Sequence, residues 1–119
     1  MKVKTSALTN AALNYLVAQC EGYKYITFKQ LDFLQVFVSN KKGEYYDFNP
    51  AKNWSQGGPI IEREIDRGMR LHKRSVRYFN PGSYSFEHFM CGDTTLIAAM
   101  RCFVASRLGD KVEIPEELK

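Results

Sequence analysis

The segment from Thr94 to Leu108, TTLIAAMRCFVASRL, carries a helical pattern that is apolar on nearly every side. Leu96, Ile97, Met100, Phe103 and Val104 form one stripe at helical spacing. Ala98, Ala99, Cys102, Ala105 and Ser106 line the opposite side with small residues. A helix apolar all round belongs in an interior, so the other elements must fold around this one. The small side also suits a contact between two copies of the chain. Asp93 or Thr94 is placed to cap this helix and Gly109 to stop it.

A second helix is expected from about Thr9 to Cys20. Thr9 can cap it, and Leu8 with Leu13 has the spacing of a hydrophobic staple. Leu13, Leu16, Val17 and Cys20 recur at i, i+3, i+4 and i+7, and Gly22 follows where a left-handed residue is wanted. Between Tyr23 and Phe48 the period changes to that of strands. Phe33 to Val38 reads as one strand, Asn40-Lys41-Lys42-Gly43 as a turn, and Glu44 to Phe48 as the return. Asn49 to Pro59 reads as an ordered loop leading into a short helix, Ile60 to about Arg67, with Pro59 in its first turn. Met69 to Phe79 is expected to be one strand. Asn80-Pro81-Gly82 would turn it, and Tyr84 to Met90 would return along it. Residues from about 110 to 119 read as a loosely held, charged tail. The fold class is therefore α+β: one domain over 1–119, with a small, largely antiparallel sheet and two principal helices, about 9–20 and 94–108, packed on it. Eight Phe and seven Tyr in 119 residues favour such a sheet.

Three segments taken together, MKVKTSALTNAALNYLVAQCEG, NWSQGGPIIEREI and TTLIAAMRCFVASRLGDKVEIPEEL, resemble the NinX-like family of lambdoid and related tailed-phage accessory proteins. Residues Tyr23 to Tyr46 and Asp66 to Gly92 fall outside the resemblance and look like the variable part. The family often has an acidic residue and Trp where this chain has Asn14 and Tyr15. The resemblance implies a phage or prophage origin and action in the cytoplasm of a bacterial host; it implies no activity.

The cysteines, Cys20, Cys91 and Cys102, form no metal-binding spacing, and their odd number predicts free thiols in a reducing compartment. No cofactor, metal site or membrane partner is expected. Common nucleophile, zinc and nucleotide motifs are missing, so the chain reads as a non-enzyme. Glu62, Glu64 and Asp66 interleave with Arg63 and Arg67, which predicts a solvated helix face with ion pairs rather than an acid–base site.

What remains is binding, against host defence or host regulation, with three classes of partner. The first is a host protein. The second is a small anionic, nucleotide-like ligand held at the loop Asn53 to Pro59. There Trp54 would stack, Gln56 would hydrogen-bond, Gly57 and Gly58 would offer amides, and Arg63 or Arg67 would balance charge. Tyr78 or Arg101 would complete that site from elsewhere in the fold or from a second subunit. The competing reading makes Trp54 a core anchor and the glycines a tight turn. The third class is unspecific nucleic-acid binding by Arg70, Lys73, Arg74 and Arg77. Between Arg63 and Arg77 there are six basic residues and two acids, and that excess equals the whole net charge of +4. Self-association as a homodimer or higher homo-oligomer is also expected.

Overall fold

In chain order the elements are β1 (Lys2–Lys4), a 3-10 turn (Thr5–Ala7), α1 (Asn10–Glu21), β2 (Tyr25–Gln30), β3 (Phe33–Ser39), β4 (Tyr45–Asp47), α2 (Trp54–Ile65), β5 (Met69–His72), β6 (Ser75–Phe79), β7 (Phe86–Cys91), α3 (Thr95–Leu108) and β8 (Lys111–Glu113). They come from a computed structural model that describes residues 1–30, 33–79 and 86–116. The expected turn at Asn80 to Gly82 and the expected strand start at Tyr84 lie outside the described residues.

α3 is the centre of the molecule. Its neighbours are α1, α2, the 3-10 turn, β8 and all three strands β5, β6 and β7. Leu96, Ala98, Ala99, Met100, Cys102, Phe103, Val104 and Ala105 are all buried. The small-residue side is therefore filled from within the chain, not by a second copy. Thr94 caps α3: its hydroxyl accepts from the Ile97 amide at 3.1 Å. Gly109 ends it with φ 93°.

There are three small antiparallel sheets, ordered β1-β8, β2-β3-β4 and β5-β6-β7; the first and third lie against α3, through β8 and through β5 to β7, and the second packs on α1. The architecture is α+β as expected, with three corrections. First, Met69 to Phe79 is two strands, because Lys73 (φ 44°) and Arg74 form a two-residue reversal that sets His72 opposite Ser75. Second, the tail is tied down at its start. β8 pairs with β1, Val3 opposite Val112, and Val112 and Ile114 are buried. Third, the Thr9 hydroxyl makes no cap bond, although Thr9 has extended backbone at the start of α1 and Gly22 closes the helix at φ 75°.

The central segment departs furthest from expectation. Asn49 to Pro59 is not a loop throughout, because α2 begins at Trp54 and runs through both glycines and Pro59. Asn53 starts it early, its side-chain oxygen accepting from the Ser55 amide at 3.0 Å and the Ser55 hydroxyl at 2.6 Å. Gly57 is required by close approach: a Cβ there would lie 2.4 Å from the Pro50 carbonyl oxygen and 2.6 Å from Leu96 Cδ1.

Candidate functional site

Along α2 the buried positions are Gly57, Ile60, Ile61 and Glu64, at i, i+3, i+4 and i+7. The face that packs towards α3 thus ends in a carboxylate. Its side chain is fully buried, with 0% exposure, and a buried carboxylate needs several donors to replace its water. Four residues supply them. The Tyr78 hydroxyl donates to Oε1 at 2.7 Å. Arg107 Nη2 bridges both oxygens at 2.8 and 2.9 Å. Arg63 Nε donates to Oε2 at 3.0 Å, and Arg67 Nη1 reaches Oε2 at 3.4 Å.

The network extends to α1. Arg63 turns its two terminal nitrogens onto Glu21, at 2.5 and 3.0 Å, in a bidentate pair. Glu21 is the last residue of α1, Glu64 and Arg63 lie in the last turn of α2, and Arg107 in the last turn of α3. Helix C-termini carry partial negative charge and draw cations, which accounts for three arginines meeting where three helices end. The Arg63 and Arg107 guanidinium carbons stand 5.5 and 5.1 Å from the centre of the Phe103 ring.

Electrostatics follow from this packing. Burial alone would raise the Glu64 pKa, but hydrogen bonds from Tyr78 and Arg63 and the charges of Arg107 and Arg63 prevail and hold it below the ordinary carboxylate value. Burial raises the Tyr78 phenol, and its bond to Glu64 raises it further. The Arg63 guanidinium is held more firmly protonated by its bond to Glu21, against the opposing effect of burial. Beside the network, burial pushes the Cys20 thiol up to about 11, and within α3 it pushes Cys102 to about 12.

Towards solvent the network is overlaid by an arginine–tyrosine face. Arg63 and Arg67 keep 40% and 56% of their side chains exposed. Tyr23 and Tyr46 are exposed large side chains. Tyr23 packs edge-on against Phe48 with ring centres 5.6 Å apart. Burial raises its phenol pKa; Glu21 and Tyr46 add to the rise and Arg63 opposes it.

The residues expected to hold a nucleotide-like ligand are not gathered in one place. Trp54 is exposed, not a core anchor, and lies over Gly58, whose added Cβ would stand 3.7 Å from its ring. Nine residues separate Trp54 from Arg63, which places them about 180° apart around the helix. Gln56 fastens α2 to the preceding segment: its oxygen accepts from the Asn49 amide at 2.6 Å and its nitrogen donates to the Asp47 carbonyl at 2.7 Å. The Gly57 amide donates to the Asn53 carbonyl at 2.9 Å, and Gly58 is inside the helix. Arg101 donates to the Leu8 and Cys91 carbonyls at 2.8 and 2.7 Å. Only Arg63, Arg67 and Tyr78 meet, and they meet on Glu64. The expected solvated reading of Glu64 is thus corrected, whereas Glu62 and Asp66 are exposed. Asn14 ties α1 to the segment before α2, donating to Asn49 Oδ1 at 2.8 Å and accepting from the Ala51 amide at 3.2 Å.

The helices that build this network lie in one matched region. The sequence model of the family described as bacteriophage P22 NinX matches residues 4–107, from before α1 almost to the end of α3. The chain belongs to this family. No curated protein matches it significantly. In this NinX-family chain the match takes in Glu21, Arg63, Glu64, Arg67, Tyr78 and Arg107, the full set of groups in the network around the buried carboxylate. Among the described residues, no helix is long and apolar enough to cross a membrane.

Proposed function

We propose that this phage protein acts by binding and not by catalysis, and that its target is a host protein of defence or regulation. The observation that carries the reading is the arginine–tyrosine face. Tyr and Arg are the residue types that dominate binding energy at protein interfaces. Here Arg63 and Arg67 reach solvent from a network that fixes Arg63 on Glu21, and Tyr23, two residues beyond Glu21, and Tyr46 are exposed as well. A side chain held in its binding geometry loses less freedom on association. Glu64, Cys20 and Cys102 are poorly placed for chemistry. Both Glu64 oxygens are committed to Tyr78 and arginines, and burial keeps the Cys20 and Cys102 thiols protonated. A nucleotide-like ligand is the weaker reading, because its expected contacts are dispersed and Arg63 spends all three nitrogens on Glu21 and Glu64.

The test compares wild type with the double variant Tyr46→Ala/Arg67→Ala in affinity capture from host extract, followed by calorimetry with the purified partner. Both side chains are exposed, so the fold should persist. The affinity of the identified partner should fall at least about 100-fold, as for two central interface residues. Equal capture and equal affinity would sink the assignment of this face.

A further inference from the structure

A second surface lies on other elements. In the sheet β5-β6-β7 one face packs on α3, burying Met69, Val76, Tyr78 and Met90. The opposite face is turned to solvent. Across it the strand register sets Arg70 opposite Arg77 and Arg77 opposite Phe89, one residue from each strand in a single row. All three are exposed, Phe89 to 45%. The Arg77 guanidinium stands 5.1 Å from the centre of the Phe89 ring. Lys73 and Arg74 form the hairpin tip at the end of the same sheet.

Opposing two like charges across an antiparallel pair weakens a sheet, so the Arg70–Arg77 pairing is not a device for stability. Arg70 is also anchored: one terminal nitrogen donates to the Ile65 and Met69 carbonyls, both at 2.8 Å, at the C-terminus of α2. Arg70, Lys73, Arg74 and Arg77 on this face and its tip outnumber the one acid within the three strands, Glu87, leaving an excess of positive charge that matches a polyanion. An exposed aromatic ring beside fixed arginines on an open sheet is the arrangement on which unpaired bases stack while phosphates are neutralised.

We infer that this face binds single-stranded nucleic acid, with a base stacked on Phe89 and phosphates held by Arg70, Arg77 and the Lys73-Arg74 tip. A duplex hides its base faces in its own stack and cannot use Phe89. The surface is separate from the arginine–tyrosine face, so either assignment can fail alone.

The experiment is fluorescence anisotropy of the full chain with a labelled thymidine oligonucleotide and with a duplex of the same length, over a salt series. The single strand should bind about tenfold more tightly than the duplex, with log affinity falling against log salt at a slope of roughly −2, as for about three neutralised phosphates. Phe89→Ala and Phe89→Leu should each weaken binding roughly tenfold, and Phe89→Tyr should restore it, because stacking needs a ring and not merely apolar area. Thermal melts of each variant separate loss of the ring from loss of the fold. Lys111→Ala, a charge removed from β8, should leave binding unchanged. Absence of binding at low salt, equal affinity for duplex, or wild-type affinity in a folded Phe89→Leu variant would each overturn the inference.

Discussion

Glu64 shows how a single buried charge can serve as a joint. A carboxylate in the interior is costly alone, and removing it leaves Arg63 and Arg107 without their shared partner. Glu64→Gln should therefore cost about 3–5 kcal/mol in urea unfolding. The pH dependence has a definite sign. The folded pKa lies below the ordinary 4.5 of the unfolded chain, so the stabilisation is complete above that value and is lost as pH falls through the folded one. Wild-type urea midpoints should drop on acidification below about pH 4.5, and Glu64→Gln should lack that component. Parallel pH curves for the two proteins would show that Glu64 does not titrate as described. In the sequence, Glu64 stands between Glu62 and Asp66 with arginines interleaved, and charge pattern alone does not separate the three. The i, i+3, i+4, i+7 spacing from Gly57 does. It was hidden because Gly57 reads as a breaker until the Asn53 cap carries the helix back past it. Arg63, Arg67 and Tyr78 were legible as residues that come together, but the partner they share was not.

At the scale of elements, the first and last helices of the chain, α1 and α3, were the most readable. Leu13, Leu16 and Val17 repeat strongly, Gly22 and Gly109 mark the ends, and Thr94 caps where expected. α3 earns its central place by volume. Phe103 is 1% exposed, and Phe103→Ala should cost about 3–5 kcal/mol in denaturant melts. A loss below about 1 kcal/mol would contradict the central packing of α3. α2 makes a sharper prediction, because propensity and packing point in opposite directions. In an exposed helix, replacing glycine with alanine gains about 1 kcal/mol. At position 57 the new methyl group meets the Pro50 carbonyl oxygen, so Gly57→Ala should instead destabilise, by about 1–3 kcal/mol. Thermal melts give the sign directly. The strands were less legible than the helices. The reversal at Lys73-Arg74 contains neither glycine nor proline, so Met69 to Phe79 looked continuous. β2 was absorbed into an aromatic stretch with no clear alternation.

For the whole molecule, sequence periodicity could not say which strands pair. Three separate antiparallel sheets, two against α3 and one against α1, stand where a single sheet was expected, and the pairing of β1 with β8 joins segments more than a hundred residues apart. Removing residues 111–119 should cost about 3–6 kcal/mol, mainly from the buried Val112 and Ile114, measured as a lowered urea midpoint. An unchanged midpoint would return the segment to a dispensable tail. The face of α3 that suited self-association is closed within the chain, so a dimer must use another surface. Light scattering on wild type and Tyr46→Ala over a wide concentration range would reveal an assembly through the arginine–tyrosine face. The β1–β8 pair also governs timing. Long-range pairing has to await loop closure, and here β8 is made more than a hundred residues after β1. At about 5–20 residues per second, a ribosome needs roughly 5–20 s between making Val3 and making its partner Val112. Throughout that interval the first strand is an open edge, and the arrival of β8, rather than local folding, fixes the moment at which the two strands close.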